Sequence, residues 1–229
     1  MNAPAWKYQP ADAPTHIKCD VDGCQERVVW RFRRPGHQMT DTVLLTDDHR
    51  YIVNGNKEVP SVTRVIREIL LGQPPWAGST EAMEVGTYVH DMTAAYDQDD
   101  LDEDRLWEPA RPYLEAWKRF RAESEVIILE VEKVVYSPIY QFAGTVDRIA
   151  RSMSGEPTVI EVKTGRPEKW HAIQLAAYAM AADPSLNYQR TVVYLQPDGR
   201  YKLARFTRPD DVSTFRSALN VYHWRNHNG

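Results

Sequence analysis

The chain has 229 residues, of which 42% are hydrophobic and 26% are charged, and its formal net charge is −4. This length and apolar content predict one full domain with an extension, and the negative charge excludes a broad basic DNA-coating surface while leaving room for a local groove. No apolar run is long enough to span a membrane, no secretory leader is visible and two cysteines make no disulfide framework, so we expect a protein of the reducing cytoplasm.

Residues 1–45 predict a small N-terminal extension whose first 14 residues, rich in proline and alanine, form a flexible tail. Within it, two cysteines separated by four residues precede a histidine, a loosely finger-like spacing. A structural zinc ion could have four ligands here: His16, Cys19, Cys24 and His37. The alternative is two free thiols and scattered histidines, because the usual C-x₂-C pair is missing.

Apolar periodicity, caps and turn signals predict the secondary structure of the remaining chain. Asn54-Gly55 is a strong hairpin turn, Ser61 suits a helix N-cap, and Asp183-Pro184 ends a helix. In chain order we predict strands at 27–33, 42–46, 50–53 and 57–59, helices at 61–71, 79–96 and 109–123, strands at 125–136, 143–150 and 158–163, a helix at 168–182, strands at 191–196 and 200–206, and a last helix from 209. The long apolar run 125–136 is the candidate for a central strand.

An acidic run, Asp97-Gln-Asp-Asp-Leu-Asp-Glu-Asp104, follows the helix predicted at 79–96. Its composition resembles that of a metal site, but runs of like charge are usually solvated. We therefore predict a solvent-exposed linker between two helices.

Two carboxylates and a lysine lie on the predicted hairpin formed by strands 143–150 and 158–163. Side chains alternate along a strand, so Glu161 and Lys163 point to one face and Asp147 could lie opposite them. The carboxylates would make a hard oxygen site suited to Mg²⁺ or Mn²⁺, with the carbonyl of Val162 as a further candidate ligand. Lys163 could help to deprotonate a water or stabilise charge on a phosphate. Alone, this pattern also fits charged residues at the wet end of a hairpin.

Two predicted helices add side chains to the same place. Gln174 and Tyr178 are four residues apart and share a helix face, from which they could hold a DNA phosphate or a base. On the helix at 79–96, Gly86 would let the helix lie close against the sheet, and His90 could then reach the metal. An imidazole ligand would favour Mn²⁺ over Mg²⁺.

These segments resemble the PD-(D/E)xK nuclease superfamily, in its RecB/Cas4-like branch that includes phage-type exonucleases. The motifs that carry the resemblance follow in the family's order: Val59-Pro-Ser-Val-Thr63, Gly86-Thr-Tyr-Val-His90, Glu132, Gly144-Thr-Val-Asp147, Glu161-Val-Lys163 and Gln174-Leu-Ala-Ala-Tyr178. The resemblance implies an α/β fold with a restriction-endonuclease-like core, in which a central mixed β-sheet is flanked by helices in the order αβββαβ. This nuclease domain would cover residues 46–229.

The resemblance also implies roles for individual residues. His90, Asp147 and Glu161 would bind the metal, Lys163 would be catalytic together with the two carboxylates, and Glu132 would be an accessory acidic residue. Expected DNA contacts are Gln174, Tyr178 and Arg166.

Three departures from the family pattern limit what is expected. Val146 occupies the position of the proline that gives the superfamily its name. Cas4-like members often hold an iron–sulfur cluster with four cysteines, and because this chain has two, no such cluster is expected. The sequence contains no G-x-x-x-x-G-K-[ST] phosphate loop, so a helicase motor would be a separate chain.

The sequence therefore predicts a Mg²⁺- or Mn²⁺-dependent DNA nuclease, favouring an exonuclease that hydrolyses phosphodiester bonds at single-stranded or duplex ends. Its setting would be recombination, repair or phage DNA processing in a bacterial or phage-infected cell, alongside a separate helicase or annealing protein and without a membrane. One alternative is a non-catalytic DNA-binding or assembly module, against which the retained Asp147, Glu161 and Lys163 argue. Another is a metal-dependent RNA nuclease.

Overall fold

The computed structural model describes residues 15–17, 27–33, 40–73, 80–185 and 187–227. The predicted tail and three of the candidate zinc ligands, Cys19, Cys24 and His37, lie outside these residues, and for His16 only the backbone is described. The zinc site therefore stays a prediction.

Five antiparallel strands form the first sheet, in which neighbours in sequence are neighbours in space. They are β1 (Thr15–Ile17), β2 (Arg27–Arg33), β3 (Thr40–Leu45), β4 (Tyr51–Val53) and β5 (Lys57–Val59). Asn54 and Gly55 both have positive φ angles, of 52° and 78°, which confirms the hairpin turn predicted between β4 and β5. The domain boundary predicted at residue 45 falls between β3 and β4, which are paired, so the sheet continues across it.

Apart from two short 3₁₀ turns, Glu103–Arg105 and Glu108–Ala110, five helices and five further strands complete the described chain. They are α1 (Val62–Val65), α2 (Thr80–Asp97), α3 (Arg111–Glu123), β6 (Ile127–Ser137), β7 (Phe142–Arg151), β8 (Pro157–Lys163), α4 (Trp170–Ala182), β9 (Gln189–Leu195), β10 (Tyr201–Phe206) and α5 (Asp210–His227). Ser61 caps α1, accepting from the Arg64 N–H at 3.1 Å, and a π-helical turn, Ile66–Leu70, continues the helix. The cap is as predicted, whereas the π-helical turn has no signal in the sequence.

The second sheet has the strand order β10-β9-β8-β7-β6. Strands β8 and β9 are parallel and joined through α4, because parallel neighbours need a crossover connection, while the other pairs are antiparallel. Helices α4 and α5 pack on one face of this sheet and α2 and α3 on the other. The succession α2-α3-β6-β7-β8-α4-β9 confirms the mixed sheet and the αβββαβ order of a restriction-endonuclease-like core.

Strand β6, predicted to be central, is instead an edge strand of the second sheet, and β8 occupies the middle. The prediction was wrong because β6 is apolar for a different reason. Its side chains Val134 and Tyr136 are buried against Tyr51 and Val53 of the first sheet. An edge strand covered by a second sheet has the same hydrophobic sequence as a central one.

The acidic segment after α2 is only partly solvated. Gln98, Asp99 and Asp100 are exposed, as predicted, but the side chain of Asp97 is fully buried and paired with Arg148 and Arg121. Burial of this carboxylate follows from its arginine partners, which lie far away in sequence. Among the described residues, no helix combines the length and apolar character needed to cross a membrane.

Candidate active site

The hairpin β7–β8 places Asp147 beside the backbone of β8. The Val162 N–H donates to Asp147 Oδ2 at 2.7 Å, which fixes the carboxylate at the point where the two strands diverge. Asp147 and Glu161 are both buried, with 5% and 2% of their surface exposed. Two carboxylates this close in the interior need a compensating positive charge.

Three potential metal ligands from three different elements converge at this point. One ligand atom from each of His90, Glu132 and Asp147 lies within 4.8 Å of the other two. His90 comes from α2, and its Nδ1 is 3.3 Å from Asp147 Oδ2. Glu132, expected only as an accessory residue, is thus a full member of this cluster.

Glu132 adopts an unusual backbone conformation for a strand residue. Its φ is 47°, in the left-handed region, and it lies between the β6 residues Val131 and Lys133, which pair with Arg148 and Val146. A non-glycine residue in this region costs about 1–2 kcal/mol, and such strain is typical of functional sites. At this position the Glu132 carboxylate offers a ligand atom within 4.8 Å of one from Asp147 on the neighbouring strand.

A buried arginine holds the cluster from behind. Arg148 has no exposed surface, and its Nη1 donates to Glu132 Oε1 at 3.2 Å and to the Asp147 carbonyl at 2.6 Å. Its Nε donates to Asp97 Oδ2 at 2.6 Å and its Nη2 to Thr93 Oγ1 at 3.2 Å, both on α2. Arg148 therefore ties the helix that carries His90 to both acidic strands.

Glu161 belongs to a second chain of contacts. Its Oε1 accepts from Lys163 Nζ at 2.6 Å and from Gln174 Nε2 at 3.0 Å, and the same Nε2 lies 3.0 Å from the Tyr178 hydroxyl. Glu161 Oε2 and Gln174 Oε1 are buried without a hydrogen-bond partner among the described residues. Because an unsatisfied buried carboxylate oxygen is costly, Glu161 Oε2 is suited to binding a cation.

Gly144 makes room for Tyr178. A Cβ atom at position 144 would lie 2.6 Å from Tyr178 Cε1, so no larger residue fits while the ring stays in place. At Gly86, by contrast, an added Cβ would meet only Thr164 Oγ1, at an ordinary 3.9 Å. The interpretation that Gly86 permits close helix packing was therefore wrong, and Gly144 has that role.

The pKa values of the ionisable groups in the site are strongly shifted. Burial, with the nearby Asp147 charge, raises the pKa of Glu132 and of Glu161 to about 7. Burial also acts to raise the pKa of Asp147, but the adjacent His90 and Lys163 outweigh it and the pKa is lowered. Burial acts to lower the pKa of His90 and of Lys163, yet Asp147 beside the first and Glu161 beside the second raise both. Near neutral pH the site therefore holds an ionised aspartate, a charged lysine and two glutamates close to deprotonation.

The donor set fits a divalent cation. Buried carboxylate oxygens are the ligands that Mg²⁺ and Mn²⁺ prefer, and one imidazole nitrogen is compatible with Mn²⁺. Glu161 Oε2, which is buried and has no hydrogen-bond partner among the described residues, could serve as one of these oxygen ligands.

The residues predicted to contact DNA differ in accessibility. Gln174 and Tyr178 are 3% and 4% exposed and bond to Glu161 and to each other, so neither presents a surface to a DNA strand. Their burial favours contacts within the site over the predicted contacts with DNA, because α4 packs on the sheet. Arg166, in the loop before α4, is exposed.

Sequence reasoning missed Arg148 and Asp97. The only signal for Arg148 was a charged residue in the middle of an otherwise apolar strand, directly after Asp147. Its partner Asp97 was hidden inside a run of acidic residues.

Residues 76–220 match the family model of the PD-(D/E)XK nuclease superfamily. No curated protein matches the sequence. Among solved structures, an alkaline exonuclease (LHK-Exo) from Laribacter hongkongensis is similar at 18% identity, over 73% of this chain and 92% of that chain, with a TM-score of 0.37. LHK-Exo in complex with dAMP is similar at 20% identity, over 74% of this chain and 93% of that chain, with a TM-score of 0.34. The protein SSO0001 is similar at 18% identity, over 73% of this chain and 84% of that chain, with a TM-score of 0.33.

Proposed function

The chain belongs to the PD-(D/E)XK nuclease superfamily, and we propose that it is a divalent-metal-dependent DNA nuclease that hydrolyses phosphodiester bonds. The observation that carries the proposal is the convergence of ligand atoms of His90, Glu132 and Asp147 within 4.8 Å of one another. Beside them lies the ion pair of the buried Glu161 with the partly buried Lys163. Buried charges destabilise a fold unless they are fully compensated. A module that only bound DNA would gain stability by losing them, so their presence favours catalysis.

His90, Glu132, Asp147 and Glu161 would hold the metal, with the Val162 carbonyl as a further candidate ligand. A bound divalent cation would supply a Lewis acid for the phosphate and lower the pKa of water. The histidine favours Mn²⁺, whereas the carboxylates accept Mg²⁺ equally well. Either ion would neutralise the carboxylates that burial leaves only partly ionised.

Lys163 acts as a charged group in this proposal. Because Glu161 raises its pKa in spite of burial, its ammonium stays protonated and suits stabilisation of negative charge on the phosphate. The contact of 2.6 Å with Glu161 holds the ammonium beside the cluster. A protonated Lys163 can stabilise charge but cannot accept a proton, so it would not act as a general base.

Gln174 and Tyr178 would act through Glu161 and not through DNA. Gln174 donates through Nε2 to Glu161 Oε1 and also to the hydroxyl of Tyr178. The ring of Tyr178 packs on Gly144. Gln174 and Tyr178 are positioning residues for a metal ligand, an arrangement in which outer partners orient the inner ones.

An exonuclease acting on DNA ends is the favoured form of this activity, because the sequence motifs resemble those of the RecB/Cas4-like branch. The corresponding setting is recombination, repair or phage DNA processing in the cytoplasm. A separate helicase or annealing protein would be a fitting partner.

The test compares end-labelled linear DNA with circular DNA, single-stranded and duplex, in Mn²⁺, Mg²⁺ or EDTA. We expect metal-dependent loss of linear DNA, no cleavage in EDTA and protection of closed circles. Lys163→Ala and Asp147→Asn should abolish cleavage. Lys169→Ala is the matched control, because it removes an exposed lysine from the same region.

Three outcomes would reject parts of the proposal. Equal cleavage by wild type and Lys163→Ala would reject the assigned site. DNA binding without cleavage in either metal would favour the non-catalytic module. Preferential cleavage of an RNA of the same sequence would point to the RNA nuclease.

A further inference from the structure

A groove without acidic residues lies beside the candidate active site. It has a volume of about 270 Å³ and follows the loop after β8, with Thr164 and Arg166 on one side and Tyr194, Gln196 and Lys202 on the other. None of its lining residues is an aspartate or a glutamate. We refer to it as the Lys202 groove. In a chain with a net charge of −4, such a surface next to a buried acidic cluster needs an explanation.

The strand register aligns this groove with the active site. Lys163 of β8 pairs with Tyr194 of β9, and Tyr194 pairs with Lys202 of β10. Directly paired residues point to the same face of a sheet, and neighbouring strands are about 4.8 Å apart. Lys163 and Lys202 therefore start from the same face, separated by roughly 10 Å across two strand spacings. Tyr194 lies between them, buried and bonded through its hydroxyl to His171 Nδ1 at 2.7 Å.

The two cations of the groove have no partner in the part of the chain that the structure describes. Arg166 and Lys202 are exposed and make neither an ion pair nor a hydrogen bond there. Arg200, directly before β10, instead forms an ion pair with Asp198. Arg166 and Lys202 are thus available to an anionic ligand.

We propose that the Lys202 groove binds a phosphate of the DNA strand that flanks the bond to be cleaved. The proposal rests on the proposed nuclease function and extends it by naming Lys202 and the direction, from β8 towards β10, in which the strand leaves the site. Lysine and arginine side chains bind phosphates without reading bases, so the groove would hold DNA independently of sequence. It would set the position of the strand relative to Lys163.

The test uses Lys202→Gln, the double variant Arg166→Gln/Lys202→Gln, and Arg205→Gln as a matched control. Arg205 lies on the same strand, is exposed and has no partner among the described residues, but points to the opposite face because it is three positions away. Binding of a fluorescein-labelled single-stranded DNA is measured by anisotropy in EDTA over a range of salt concentrations. KM and kcat for cleavage of the same DNA are measured in Mn²⁺.

We expect Lys202→Gln to raise Kd and KM about fivefold at low salt. The slope of log Kd against log salt should fall by about 0.7, the value for one lost phosphate contact on single-stranded DNA. The value of kcat should change less than twofold, and Arg205→Gln should match wild type. The double variant Arg166→Gln/Lys202→Gln should raise Kd more than Lys202→Gln does.

The proposal is overturned if both groove variants bind and cleave DNA like wild type, a result that leaves the nuclease function standing. It is also overturned if Arg205→Gln lowers the salt slope as much as Lys202→Gln, because the effect would then be one of net charge. If DNA binding depends on Lys202 but nothing is cleaved, the groove stands and the nuclease function fails.

Discussion

The guanidinium of Arg148 donates to the carboxylate of Asp97 at 2.6 Å, and neither side chain has any surface exposed to solvent. The pair joins the end of α2 to the middle of β7, and Arg148 also lies over the ring of Trp117 at 5.3 Å. Through Arg148, this buried ion pair is continuous with Glu132 and with the backbone of Asp147. The geometry of the candidate metal site is thus coupled to the packing of the helix that carries His90.

Loss of the arginine should therefore destabilise the protein strongly. Arg148→Met leaves Asp97 buried without its main partner, and breaking a buried pair from one side costs about 3–5 kcal/mol in the free energy of unfolding. Urea denaturation would measure this change. Asp97→Leu added to Arg148→Met should recover part of the loss, and Arg111→Met, which breaks a surface pair with Glu108, should change nothing measurable. If Arg148→Met unfolded at the same urea concentration as wild type, the buried charge of Asp97 would not depend on Arg148 for compensation.

Glu132 should be a metal ligand and not an accessory residue. Glu132→Gln preserves the shape of the side chain but removes its charge, so we expect the affinity for Mn²⁺ to fall at least about tenfold, by analogy with changes around other metal sites. Isothermal titration calorimetry with Mn²⁺ alone would measure it. Glu130→Gln, on the same strand and outside the cluster, is the control. If Glu132→Gln and Glu130→Gln bound Mn²⁺ with equal affinity, Glu132 would not be a metal ligand.

Two glycines should respond to alanine in opposite ways. Gly144→Ala drives a methyl group to 2.6 Å from Tyr178, and overpacking of this kind costs about 1–3 kcal/mol. Gly86→Ala adds a methyl group with ordinary contacts to an α-helix, where alanine is favoured over glycine by about 0.5–1 kcal/mol. Thermal and urea denaturation of both variants would test the pair. Destabilisation of similar size at both positions would contradict the packing argument.

Metal binding should strengthen as the pH rises through about 7. Glu132 and Glu161 have pKa values of about 7 in the folded protein, against 4.5 for an ordinary glutamate. Between these two pH values the folded state therefore binds more protons than the unfolded state. Their contribution to the stability of the metal-free protein is then present at low pH and is lost as the pH rises from about 4.5 through 7. Because a metal requires deprotonated carboxylates, Mn²⁺ should raise the melting temperature more at about pH 8 than at about pH 6.

The control for this pH dependence is the double variant Glu132→Gln/Glu161→Gln, which has no carboxyl left to titrate at the two positions. It should show a smaller Mn²⁺ effect with a weaker pH dependence, because His90 is then the remaining ligand that must lose a proton in this range. A wild-type melting temperature that rises equally at both would mean that neither glutamate loses a proton on metal binding.

Local chemistry explains what could be predicted from the sequence. The Asn54-Gly55 turn, the Ser61 cap and the hairpin that carries Asp147 each depend on residues within a few positions of one another. The same holds for the pairing of Glu161 with Lys163, because alternation along one strand is enough to place them on one face. The ordered motifs then identified the family, which the match over residues 76–220 confirmed.

Contacts between distant segments explain what could not be predicted. Edge and central strands have the same apolar sequence, so the place of β6 depended on the sheet that covers it. The left-handed backbone at Glu132 follows from contacts across β6 and β7, and the burial of Gln174 and Tyr178 follows from the packing of α4 on the sheet.

The sequence by itself determined the family of this protein and the candidate residues of its site: the acidic residues, the lysine and the histidine follow in the order of the motifs of the PD-(D/E)XK nuclease superfamily. Only the tertiary structure decided which of them meet and that Glu132 lies beside His90 and Asp147. It also decided that Arg148, which contacts this cluster, pairs with Asp97, 51 positions away in sequence. The physical reason is that strand alternation and capping act over a few residues, whereas burial and charge compensation act between whichever groups the fold brings into contact.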